Sequence, residues 1–145
     1  MPMKPRTIVS AEWLRERLGR DDLVIADCRF ELTDPDAGRR AYERDHIPGA
    51  VYFDLERDLS GPATGRGGRH PLPDMEEFFA LLGRRGVGRG VTVVCYDDQL
   101  GQMAARLWWM LRYVGHDHAA VHDGGYGAWR EAGGAVTAEV PAPTA

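Results

Sequence analysis

Apolar positions recur along this chain at two spacings, and the alternation between them predicts its elements. Ser10 precedes Ala11, Leu14 and Leu18, whose three- and four-residue intervals mark one helical face, and its hydroxyl can accept a hydrogen bond from an early backbone N–H. A short helix ending at Gly19 is expected. The run Leu23-Val24-Ile25-Ala26 is apolar with no polar partner face, as suits a strand covered on both sides by helices. Residues 37–45 are mostly polar, with Ala41 and Tyr42 as the apolar contacts, which predicts a short surface helix. Pro48 and Gly49 then turn the chain into a second strand over residues 50–53. Residues 58–73 are rich in Gly and Pro and supply no core face, so they read as a long surface loop. Asp74 and Glu77 have the spacing of a capping box, and Met75, Phe78, Phe79 and Leu82 continue at helical intervals to Gly86. Residues 91–96 form a β-branched-rich strand. The helix that follows, residues 103–114, carries Met103, Leu107, Met110, Leu111 and Val114 as one apolar stripe. A short strand over 119–121 and a helix over 126–132, ended by Gly133 and Gly134, complete the series.

Strands alternating with helices imply an α/β domain with an open, mostly parallel sheet and helices on both faces, because each parallel strand needs a crossover. Residues 1–138 are the expected domain, and residues 139–145, rich in Ala and Pro, read as a linker-like tail. Ligands in such sheets bind beyond the carboxyl ends of the strands, which directs attention to the loop after Tyr96.

The net charge of −4 and a pI near 5.7, with basic residues scattered, argue against a nucleic-acid partner. No apolar run approaches the roughly 20 residues of a membrane-spanning helix, and Met1 to Arg6 lead into no apolar signal core. A cytoplasmic protein with no membrane partner is expected. Cys28 and Cys95 lie inside apolar runs, which predicts reduced, buried thiols. His116, Asp117, His118, His122 and Asp123 suggest a metal site by proximity. Yet His118 and His122 flank a strand and stand roughly 13 Å apart if it is extended, too far to share one ion. Solvated histidines, no metal and no cofactor are expected.

Three separated segments carry a resemblance. The first runs from Asp27-Cys28-Arg29 at a strand end through Tyr42 to His46-Ile47-Pro48-Gly49-Ala50, the second is Gly124-Gly125-Tyr126-Gly127-Ala128-Trp129, and between them lies the strand from Val91 to Tyr96. In order and spacing these resemble the two signatures of the rhodanese family of sulfurtransferases. The resemblance implies a rhodanese-like sheet in which these residues mostly build the scaffold. It also implies chemistry by a cysteine at the start of the loop after the central strand, carrying a persulfide whose anionic form is favoured by loop N–H groups and a helix N-terminus. Here the residue directly after Tyr96 is Asp97, and the loop Asp97, Asp98, Gln99, Leu100, Gly101, Gln102 contains no thiol. Cys95 lies two residues earlier. Strand alternation turns its side chain to the face opposite Val94 and Tyr96, into apolar surroundings that raise a thiol pKa. A cysteine phosphatase is disfavoured as well, since the residue standing where its arginine would follow Cys95 is Gly101. No catalytic residue is expected.

Asp97 after Tyr96, then Arg106, Trp108, Trp109 and Met110, resembles the amino-terminal domain of tandem sulfurtransferases, which has lost its cysteine. The segments Asp58-Leu59-Ser60-Gly61-Pro62 and Gly67-Gly68-Arg69-His70-Pro71 resemble the long loop of the thiosulfate and 3-mercaptopyruvate enzymes. The resemblance implies a non-catalytic half whose partner is a second, catalytic rhodanese domain. Arg66, Arg69 and His70 are binding candidates for an anionic substrate at the domain interface, or else a solvated loop. Trp108 and Trp109 point about 100° apart on their helix, so one of them is expected to face a partner, whether the second domain or, by self-association, another copy. The alternative is a free-standing binding or regulatory module that kept the fold and lost the chemistry. Whether a second rhodanese domain follows Ala145 in the gene separates the two.

Overall fold

The structure, a computed structural model, describes residues 7–31, 33–55, 58–60, 73–98 and 101–140. Among these residues ten elements follow one another: β1 (Ile8–Val9), α1 (Ala11–Arg15), β2 (Leu23–Asp27), α2 (Ala37–Arg44), β3 (Val51–Tyr52), α3 (Met75–Arg84), β4 (Thr92–Tyr96), α4 (Gln102–Tyr113), β5 (Ala119–His122) and α5 (Gly125–Glu131). The strands form one five-stranded sheet in the order β1-β5-β4-β2-β3, and every neighbouring pair is parallel. The expected α/β class holds.

Local chemistry accounts for most boundaries. The Ser10 hydroxyl accepts from the Trp13 N–H at 3.1 Å and caps α1, which passes into turns after Arg15 rather than continuing to Leu18. The capping box at α3 does not form, because the Asp74 side chain makes no capping hydrogen bond. Glu76 and Glu77 still complement the positive end of that helix from its first turn. Edge strand β1 was not legible: two residues, one exposed and one buried, are too short to show a period.

Strand alternation sorts the core onto two faces. Val93 and Cys95 of β4 join Ala26, Phe78, Leu107 and Leu111 under α3 and α4. Val94 and Tyr96 join Ile25, Leu14, Tyr42 and Trp129 under α1, α2 and α5. Every residue of β4 is buried, hence its lack of polar alternation. Cys95 and Cys28 lie together on the α3/α4 side as free, buried thiols. Burial, and then the Cys95 thiol beside it, push the Cys28 thiol up.

The chain leaves β2 toward β3 on one side and leaves β4 toward β5 on the other. The carboxyl ends of β2 and β4 therefore flank the topological switch point, where open α/β sheets place their ligands.

Candidate functional site

At that switch point Asp97, the first residue after β4, is fully buried. Gly101, at φ +87°, starts α4 in the left-handed conformation that glycine adopts without strain. It folds the loop back so that backbone N–H groups converge on the Asp97 side chain. Oδ1 accepts from the Gly101 N–H at 2.9 Å, and Oδ2 accepts from the Ala104 N–H at 2.7 Å. A carboxylate at the start of a helix is favoured both by these bonds and by the helix dipole.

The Gly-Gly-Tyr segment closes the site from the β5 side. Gly124 and Gly125 both have positive φ, and the backbone of Gly125 lies directly on the Asp97 carbonyl. The Tyr126 N–H donates to that carbonyl oxygen at 2.9 Å. Trp129, buried in the same motif, donates from its indole N–H to Ala135 O at 2.8 Å.

A buried ion pair joins the strand ends. Arg29 donates from Nη2 to Asp27 Oδ2 at 2.7 Å and from Nε to both carboxylate oxygens, and the Tyr96 hydroxyl donates to the same Oδ2 at 2.7 Å. Burial pulls the Arg29 guanidinium down, but Asp27 outweighs it and the net shift is upward. Arg29 also donates to the Asp45 carbonyl at 2.6 Å and lies 4.3 Å above the Tyr126 ring, whose hydroxyl donates to Asp45 Oδ1 at 2.5 Å. Desolvation, and then the Asp27 charge, push the Tyr96 hydroxyl well up. Asp27, Arg29, Asp45, Tyr96 and Tyr126 thus lock four sequence segments together beside Asp97. Asp45 was missed, since one carboxylate at the end of a polar helix carries no sequence signal.

The other predicted residues are scattered. Asp98 and Gln102 are exposed and Gly101 is half-buried, while Gln99, Leu100, Arg66, Arg69 and His70 lie outside the described residues. Asp98 borders a small cleft of about 170 Å³ together with Arg29, Glu31, Arg40 and Arg44. Cys95 does point away from the loop, into the core. His116 sets Nε2 2.7 Å from Val91 O, while His122 is buried with its ring 6.1 Å from that of Trp129. Among the described residues, no three His, Cys, Asp or Glu side chains gather to hold a metal. No helix there is long and apolar enough to cross a membrane. Trp108 packs against the core, whereas Trp109 is 47% exposed and stacks on Tyr113.

Comparison with known proteins agrees with this geometry. The model of the rhodanese-like domain matches residues 10–132. A probable 3-mercaptopyruvate sulfurtransferase of Pseudomonas aeruginosa is 47% identical over 137 residues, covering 93% of this chain and 48% of the relative. The thiosulfate sulfurtransferase of Gallus gallus is 38% identical, covering 95% of this chain and 49% of the relative. The solved 3-mercaptopyruvate sulfurtransferase of Leishmania major superposes with a TM-score of 0.86 at 33% identity, over 100% of this chain and 39% of that one. The chain spans about half the length of the curated relatives it matches. With the parallel five-stranded sheet, the two signatures at its switch point and the match over most of its length, the chain belongs to the rhodanese-like domain family.

Proposed function

We propose that this domain is the non-catalytic, amino-terminal half of a thiosulfate or 3-mercaptopyruvate sulfurtransferase, shaping the site while a second rhodanese domain supplies the sulfur-carrying cysteine. The observation that carries this reading is Asp97. Its carboxylate occupies the N–H cradle at the start of α4, held by Gly101 and Ala104. A carboxylate accepts those bonds but has no sulfur to form a persulfide. The two cysteines of the chain are both buried in the core. Relatives about twice as long, whose names are thiosulfate and 3-mercaptopyruvate sulfurtransferases, favour a half over a free-standing module. In this reading the exposed Trp109–Tyr113 stack, with ring centroids 5.2 Å apart, is apolar surface available to the partner half or to another copy.

The test is an assay of the chain with thiosulfate or 3-mercaptopyruvate as donor and cyanide as acceptor. Thiocyanate should not form above the protein-free rate, and Cys95→Ser should change nothing. Robust turnover that disappears in Cys95→Ser would overturn the proposal.

A further inference from the structure

Residues 134–140 lie beyond the family match and run into the linker-like tail that begins at residue 139, yet the structure binds them to the domain. Ala135, Val136, Ala138, Glu139 and Val140 are all exposed, so apolar burial does not hold this stretch. Polar anchors do. At its start the Gly134 N–H donates to Trp129 O at 2.9 Å, and the Trp129 indole takes Ala135 O. In its middle His46 and Thr137 exchange both backbone hydrogen bonds, at 2.8 and 2.9 Å. At its end the buried His46 ring sets Nε2 2.8 Å from Glu139 O and Nδ1 2.7 Å from Tyr42 O, and it stacks on Tyr42 with centroids 4.0 Å apart. Both partners are carbonyl oxygens, so the tautomer with its proton on Nε2 donates to Glu139 O and the tautomer with its proton on Nδ1 donates to Tyr42 O.

We propose that residues 134–139 form a strap and that His46 is its positioning residue, fixing where the chain leaves the domain. The anchor is tied to the candidate site by consecutive contacts. His46 follows Asp45, which holds Arg29 through its carbonyl and Tyr126 through its carboxylate, and Tyr126 in turn holds the Asp97 carbonyl. The strap's exit is therefore set relative to the Asp97 loop. That this exit seats a following catalytic half rests on the reading above; the strap itself does not.

Amide hydrogen exchange on this chain tests the strap without a sulfur donor or a second domain, so its outcome is independent of the activity assay. In His46→Phe the ring can still stack on Tyr42 but has no nitrogens. Exchange at Thr137 and Glu139 should quicken roughly tenfold, the worth of one or two hydrogen bonds, while Val93 in β4 stays protected. Thr137→Pro leaves the His46 ring intact but removes two strap groups, the N–H that donates to His46 O and the Oγ1 that accepts the Glu139 N–H at 3.1 Å, and it should free Glu139 from the other side of the anchor. Unchanged Glu139 exchange in a variant that keeps Val93 protected would overturn the proposal, as would an unprotected Thr137 amide in the native chain. Loss of Val93 protection in both variants would overturn it too, because the stretch would then belong to the cooperative core.

Discussion

Gly125 lies so close to the backbone carbonyl of Asp97 that a β-carbon on it would stand 2.3 Å from the oxygen. The next residue, Tyr126, donates its N–H to that oxygen. The second glycine of the signature is thus required by contact as well as by its φ of +66°. Because the contact is with backbone, rotation of a side chain cannot relieve it. Gly125→Ala should cost about 2–4 kcal/mol in denaturant unfolding, from strain plus displacement of the Asp97 loop. An unchanged denaturation midpoint would show that this contact does not set the glycine.

Asp27 is fully buried, and it relies on Arg29 together with the Tyr96 hydroxyl. Removing one partner of a buried pair leaves a charge without compensation, so Arg29→Met should destabilise by about 3–5 kcal/mol. Asp27→Asn combined with Arg29→Met should lose less than the sum of the single changes, since the second substitution removes the stranded charge. Strict additivity in the double-mutant cycle would refute the coupling.

The fold was legible where burial imposes a period. The unbroken apolar runs of β2 and β4 and the stripe on α4 were read directly, because strands covered on both faces and a helix covered on one leave different spacings. Ile8–Val9 escaped because two residues cannot display a period, and the sister strand β5 alone gives them their place. The Asp74–Glu77 spacing misled because a capping box depends on rotamers that sequence spacing does not encode. At the site, the absence of a thiol after Tyr96 was plain in the sequence. The hub at Asp45 was not, since its importance arises only when three distant segments converge. Docking of Glu139 at His46 was equally hidden, as a polar anchor leaves no hydrophobic pattern in an Ala- and Val-rich stretch.

His122 gives the fold an acid-sensitive point. Burial lowers its pKa below the ordinary imidazole value, and the Val9 backbone and Asp123 offset this only in part. Below the unfolded-state pKa of about 6.5 the unfolded chain therefore binds more protons at this site than the folded chain, and stability falls as pH drops. Above that value both states are neutral and the site contributes nothing. In His122→Leu the loss of stability between about pH 7 and pH 5 should be shallower, by at most about 1.4 kcal/mol per pH unit. Parallel pH profiles for the two proteins would remove His122 as the cause.

The cradle around Asp97 makes a prediction about sulfur itself. Gly101 N–H and Ala104 N–H are aimed at the two carboxylate oxygens from the first turn of a twelve-residue helix. These groups are fixed by backbone geometry, by Gly101 at positive φ and by the Gly125 contact behind the loop, so they should persist when the side chain changes. Asp97→Cys would place a sulfur among donors that favour its anionic form, and its pKa should fall below the unperturbed value of about 8.5. The pH dependence of alkylation by iodoacetamide reads this directly, because Cys28 and Cys95 are buried and the Cys28 thiol is pushed up rather than down. Alkylation that is half-maximal at or above about pH 8.5 would mean that the cradle is held together by the carboxylate and collapses without it. A depressed value would instead mean that the loop still has the electrostatics of a sulfur site, and that what this domain lacks for forming a persulfide is the nucleophile.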